Sequence, residues 1–159
     1  MYQPDHPRDG VTFSGTLTVT PRIGGEGIEL LTAIATTSLR AAINDKPSTL
    51  VDTLAPDHPD GPNPWIACPD GCCLELNEYL WVRLESVEPW LRYVVQTTLA
   101  DHAIEGTIMM FDHASRTFDA LSVDGTRVRR ERVLERRGGK ARVAKGRRSQ
   151  AALRSVESV

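Results

Sequence analysis

From Thr12 to Thr20 apolar and polar residues alternate. Phe13, Leu17 and Val19 share one face, Gly15 lies between them, and threonines fill the other face. A period of two predicts a half-buried strand, and Pro21 ends it. Past Gly24-Gly25-Glu26-Gly27 the period changes. Leu31, Ile34, Ala35, Ala42 and Ile43 form an apolar stripe, flanked by Leu30 and Leu39, and predict a helix over 28–43. Thr32, Thr36 and Thr37 oppose it, because β-branched side chains lose rotamer freedom in a helix. Residues 44–64 carry five prolines and four aspartates, the composition of a long exposed loop. Two apolar runs, Trp65–Cys68 and Cys72–Leu76, flank Pro69-Asp70-Gly71, and Asp-Gly between such runs predicts a hairpin. Residues 80–84 extend its second strand or form another. Ser86 or Glu88 then caps a helix with Pro89 in its first turn, where a missing N–H costs little. In that helix Trp90, Leu91, Val94, Val95 and Leu99 repeat at helical spacing through Ala100, and this face is expected to anchor it on the sheet.

Three further strands are predicted over 104–111, 117–123 and 126–134. The loop Asp112–Arg116 joins the first pair, and a tight Asp124-Gly125 turn joins the second. The last strand is charged on its exposed side, as in a protected sheet edge. Gly138-Gly139 then breaks the pattern. The expected fold is α+β: an antiparallel sheet with two helices on one face, a ferredoxin-like sandwich with extra C-terminal hairpin strands. The expected organisation is a loose arm over 1–10, a single domain over 11–135 and a basic flexible tail over 136–159, whose residues 138–159 hold too few apolar groups to offset ordering entropy.

Within this pattern, the strand Gly15-Thr16-Leu17-Thr18-Val19-Thr20-Pro21, the Pro64-Trp65 start of a hairpin, the helix segment Trp90-Leu91-Arg92-Tyr93 and Gly106 at a C-terminal hairpin resemble a group of small uncharacterised α+β proteins of actinobacteria and their phages. The similarity spans residues 12–124. It implies the fold and carries no activity, cofactor or partner with it.

Charge changes the picture more than composition does. Residues 127–159 hold twelve Lys/Arg against three acids, a net +9, whereas residues 1–126 hold seven against eighteen, a net −11. The near-neutral total of −2 conceals a dipolar chain. An acidic body with a basic tail points to electrostatic docking. Arg129, Arg130, Arg132, Arg136, Arg137, Lys140, Arg142, Lys145, Arg147 and Arg148, with Arg127, are candidate contacts to nucleic-acid phosphates. No aromatic residue is interleaved to stack on bases, so such binding would follow the backbone and ignore sequence. The other possible partner is an acidic protein. A purely solubilising tail, or one folded back on the acidic body, is the plain alternative. The start of the chain has no basic region followed by an apolar run, and no stretch approaches a membrane span. A cytoplasmic protein without membrane contact is expected.

Cys68, Cys72 and Cys73 are the first chemical candidates. Thiolates bind zinc, with His58 or Asp57 as a possible fourth ligand, but paired C-x-x-C knuckles are missing. With Asp70-Gly71 at the turn, Cys68 falls opposite Cys73, where a disulfide is conceivable but strained. Reduced, metal-free cysteines serving as small hydrophobes are expected, and no cofactor. The echo Pro4-Asp5-His6-Pro7 and Pro56-Asp57-His58-Pro59 reads as two turns of similar composition. Gly24-Gly25-Glu26-Gly27 lacks the Lys-Ser/Thr of a phosphate loop, and Glu26 would repel a phosphate. His6, His58, His102 and His113 fall beside turns, outside any catalytic motif. Asp112-His113 reads as a solvated loop pair. No catalytic residue is assigned. The expected function is a non-catalytic binding or accessory module. The alternatives are a protein–protein adaptor or inhibitor acting through its acidic surface and, third, a metal- or thiol-dependent protein built on the cysteine hairpin.

Overall fold

The computed structural model describes residues 10–77, 84–134 and 142–144. Its sheet is antiparallel throughout, in the order β2-β3-β1-β4-β5-β6-β7. The first strand, β1 (Val11–Thr20), lies in the middle, flanked by β3 (Cys73–Leu76) and β4 (Ala103–Asp112). The remaining strands are β2 (Trp65–Ala67), β5 (Thr117–Gly125), β6 (Arg127–Leu134) and β7 (Arg142–Ala144). The connection from β1 to β2 passes through α1 (Gly25–Asn44) and α2 (Thr49–Leu54), and α3 (Leu84–Tyr93) lies between β3 and β4. Among the described residues no helix is long and apolar enough to cross a membrane.

One core holds the layers together. Leu17, Val19, Ile104, Ile108, Leu121 and Val128 line one face of the sheet, and Leu31, Ile34, Val87, Trp90 and Leu91 from the helices pack on it. On the opposite face Thr12, Ser14, Thr16, Thr18 and Thr20 are exposed. The alternation read from the sequence therefore sets which face is buried. Trp90, Leu91, Val94 and Val95 are each 0% exposed, so the expected anchoring face is the buried one. At Gly15 (φ 114) a side chain would collide with the Thr107 carbonyl of the neighbouring strand, so this close approach of β1 to β4 requires glycine.

Several expectations are corrected. The loop expected over 44–64 contains α2, whose first turn is capped by Ser48 Oγ accepting the Val51 N–H (3.4 Å). The α1 stripe does not extend to Ile43, which is 72% exposed. Its last inward position is instead Ser38, which donates to the Ala35 carbonyl and accepts the Asn63 N–H at 2.8 Å. A polar residue serves there because the buried backbone ahead of β2 needs an acceptor. Asn63, fully buried, completes that joint. Its Oδ1 accepts the Trp65 N–H and its Nδ2 donates to the Trp65 carbonyl.

The second helix begins at Leu84, ahead of both expected caps, so Pro89 lies inside it and not in its first turn. It closes in a wide π turn, Val94–Thr98, with the Leu99 N–H donating to the Val94 carbonyl at 2.8 Å. The β5–β6 turn is Gly125-Thr126, one residue later than Asp124-Gly125, because Asp124 pairs with Arg127. The expected edge strand β6 is itself covered over Arg132–Leu134 by β7. Those three β7 residues were expected in an unstructured tail. Of the segment 80–84, expected to extend a strand or form one, Leu84 is instead the first residue of α3; residues 80–83, the arm before Gly10 and the rest of the tail lie outside the described residues.

Candidate functional site

The cysteine turn is built by β2 and β3. Cys68 faces Cys73 in register, as expected from placing Asp70-Gly71 at the turn, and the Cys68 N–H donates to the Cys73 carbonyl (3.0 Å). The Gly71 N–H donates back to the Cys68 carbonyl (2.9 Å). Only Gly71 of the Asp-Gly pair adopts a positive φ (70°). It must be glycine, because a side chain there would run into the backbone of Ile23. The turn is fastened to the segment leaving β1: Ile23 N–H donates to the Gly71 carbonyl and Val19 N–H to the Cys72 carbonyl, both at 2.8 Å. Four backbone hydrogen bonds thus fix the three cysteines before any ligand is considered.

Their sulfur atoms converge. All three Sγ lie within 4.8 Å of one another, and Cys68 and Cys72 are 3.5 Å apart. Cys68 is buried and the other two are half-buried; none forms a disulfide. Cys73 Sγ donates to Glu75 Oε1 at 3.5 Å. Burial pushes the Cys73 thiol far up, and the neighbouring Cys68 sulfur and the Glu75 carboxylate push it the same way. Cys68 moves in the opposite direction. Burial resists ionisation there, but hydrogen bonds from the Cys73 and Cys72 thiols and from their backbone amides outweigh it and hold Cys68 below an ordinary thiol. Of these two thiols Cys68 therefore ionises before Cys73.

Neither of the fourth ligands considered from sequence reaches this cluster. His58 and Asp57 are not among its members. His58 is committed elsewhere: Nδ1 lies 2.7 Å from the Pro59 carbonyl, Nε2 lies 3.0 Å from Asp52, and the ring stacks on Trp90 at 5.5 Å. Tyr93 donates to the Pro56 carbonyl and Trp90 Nε1 to the Gly61 carbonyl. The Pro56–Gly61 turn is thus a clamp on α3, while its echo around His6 lies outside the described residues. His113 meets Thr12 Oγ1 at 2.6 Å, and Asp112 accepts from Ala114 and Ser115, so each member of the expected solvated pair is engaged by its own neighbours. Gly24 precedes α1 and Glu26 occupies its first turn, where the helix dipole favours the carboxylate.

The basic flank divides into two parts. Arg130 and Arg132 turn to the core face, where Asp119 (4% exposed) receives them both. Arg130 Nε and Arg132 Nε each donate to its carboxylate at 3.0 Å. Arg130 also lies 3.7 Å from Glu88, which is paired with Arg92 at 2.8 Å. Burial would raise the Asp119 pKa, but the hydrogen bonds from Arg132 and Arg130 outweigh it and hold the carboxyl below the usual range. These two arginines, singled out from sequence as phosphate contacts, are therefore occupied within the chain. Arg127 and Arg129 have the opposite parity and are exposed on the other face. Arg142 pairs through its backbone with Leu134. Arg136, Arg137, Lys140, Lys145, Arg147 and Arg148 lie outside the described residues.

Two central residues were missed from sequence, Asn63 and Asp119. The signal for Asp119 was available: it is an acid between apolar residues in mid-strand, at the parity of two arginines in the strand that follows. No family model, no curated protein and no solved structure matches the chain, so the functional reading rests on these residues.

Proposed function

We propose that the protein is a non-catalytic binding module that docks through its basic C-terminal flank onto nucleic-acid backbone. The observation that carries this is the segregation of charge, +9 over residues 127–159 against −11 over 1–126. The strand order supports it, since β6 and β7 lie at one end of the sheet and β2 and β3 at the other. Arg127 and Arg129 stand exposed where that flank begins, whereas Arg130 and Arg132, held by Asp119, add little. The architecture we propose for the module is a ferredoxin-like sandwich extended by β5, β6 and β7. The β2-β3-β1-β4 order with helical crossovers supports this reading.

The test is binding of a random-sequence duplex at low salt by the native chain and by a variant with Arg136, Arg137, Lys140 and Lys145 changed to Gln. The native chain is expected to bind and the variant to lose most of its affinity, whatever the duplex sequence. Equal binding by both would place the contact elsewhere and end the proposal. A second reading, docking to an acidic protein, draws on the same charge segregation and on exposed Arg127 and Arg129, since guanidinium groups pair with carboxylates as well as with phosphates. Absence of duplex binding by the native chain would select it.

A further inference from the structure

The cysteine turn does not depend on the docking flank, and its geometry goes beyond a pair of thiols. Three sulfurs, from the residue after β2, the end of the turn and the first residue of β3, lie within 4.8 Å of one another. Thiolates sharing a tetrahedral zinc ion at a Zn–S distance of about 2.3 Å lie roughly 3.8 Å apart. The observed spacing needs only small side-chain rotations to reach that. The backbone is already fixed by hydrogen bonds to Val19, Ile23 and across the hairpin, so the ordering of ligands that accompanies binding in an unfolded chain is largely complete here.

A fourth donor, Glu75, stands beside the group of three and touches one of its sulfurs. Glu75 Oε1 lies 3.5 Å from Cys73 Sγ, about the separation expected for a sulfur and an oxygen on one tetrahedral zinc. Glu75 is exposed on the same face of β3 as Cys73, two residues on, and can swing toward the other two sulfurs without disturbing the core. The sequence showed no paired knuckles because the ligands do not come from two separate C-x-x-C turns. A single turn supplies all three thiols.

We propose that Cys68, Cys72 and Cys73, with the Glu75 carboxylate, form a zinc(II) site that braces the β2–β3 turn against the segment leaving β1. On binding, each coordinating thiol passes its proton to solvent. The ion with three thiolates and one carboxylate then carries a net charge of −2, which reaches solvent through the half-buried Cys72 and Cys73 and the exposed Glu75.

The experiment uses the full chain, reduced and freed of metal by chelator, then titrated with zinc chloride against a chromophoric chelator. One equivalent is expected to bind. In parallel, iodoacetamide labelling read by mass spectrometry is expected to show all three cysteines shielded by zinc and released by added chelator. Cys72→Ser, at a half-buried position, is expected to weaken zinc binding by at least about a hundredfold, and Glu75→Gln by roughly tenfold. Labelling that proceeds equally fast with and without zinc, in protein whose circular dichroism is native, overturns the proposal without recourse to any variant. So does Cys72→Ser protein that binds zinc as tightly as the native chain. A Cys68–Cys72 disulfide that forms in air while the reduced protein takes up no zinc overturns it in favour of a redox pair.

Discussion

Asp119 illustrates how much one side chain settles. A carboxylate at 4% exposure is tolerable only because two guanidinium groups satisfy it. Its pKa is held below that of the unfolded chain, so its contribution to stability is complete above the unfolded value of about 4 and is lost as pH falls further, through the folded value. Asp119→Asn is expected to lower stability at pH 7 by about 2 kcal/mol, since charged hydrogen bonds are replaced by weaker ones. It is also expected to flatten the fall in melting temperature below about pH 4. Thermal melts of both proteins at pH 7 and pH 3 check this, and an equal loss for both on acidification would show that another carboxylate governs acid unfolding. Parity held a signal for this residue, and the register completes it. Once Asp124 pairs with Arg127, Asp119 must face Arg132.

At the scale of elements, period and position were legible where burial is one-sided. β1, β4, β5 and β6 appear where the alternation placed them, within a residue or two at each end, because a strand with one wet face writes its register into its sequence. What escaped notice was structure whose cause lies elsewhere in the chain. α2 is six residues of modest propensity, held by a serine cap and by Val51, which is buried. The π turn after α3 inserts one residue, so that Val94, Val95 and Leu99 all reach the core. Adjacent β-branched residues, Val94-Val95 and Thr97-Thr98, make that departure from the α-helix inexpensive. The convergence of three sulfurs required the hairpin, β1 and the Ile23 backbone together, and spacing along the chain does not encode it. Because Val94 is fully buried, Val94→Asp is expected to destabilise the protein by roughly 3–5 kcal/mol, since it leaves an uncompensated charge inside. Urea titration measures it, and an unchanged midpoint would mean that the α3 face opens in solution.

At the scale of the whole molecule, opposite ends of the sheet have different jobs in the proposed reading: a basic flank at β6–β7 and a thiol turn at β2–β3. If about six basic side chains meet duplex phosphates, log affinity is expected to fall against log salt with a slope near −5. Fluorescence anisotropy at several salt concentrations gives that slope directly, and a slope near zero would exclude a phosphate contact. The sheet order has a kinetic consequence as well. β1 is made first, yet its long partner is β4, and the contact between Thr12 and His113 spans 101 residues. At about 5–20 residues per second, a ribosome needs roughly 5–20 s to supply that partner. During this interval the central strand of the future core stands with both edges unpaired, and the short hairpin strand β3 covers only Leu17 and Thr18 when it arrives. Loop closure over that distance must precede most of the sheet. Pairing along the length of β1 thus waits until β4 has been made, and up to that point the nascent chain carries an open strand edge on which aggregation can start.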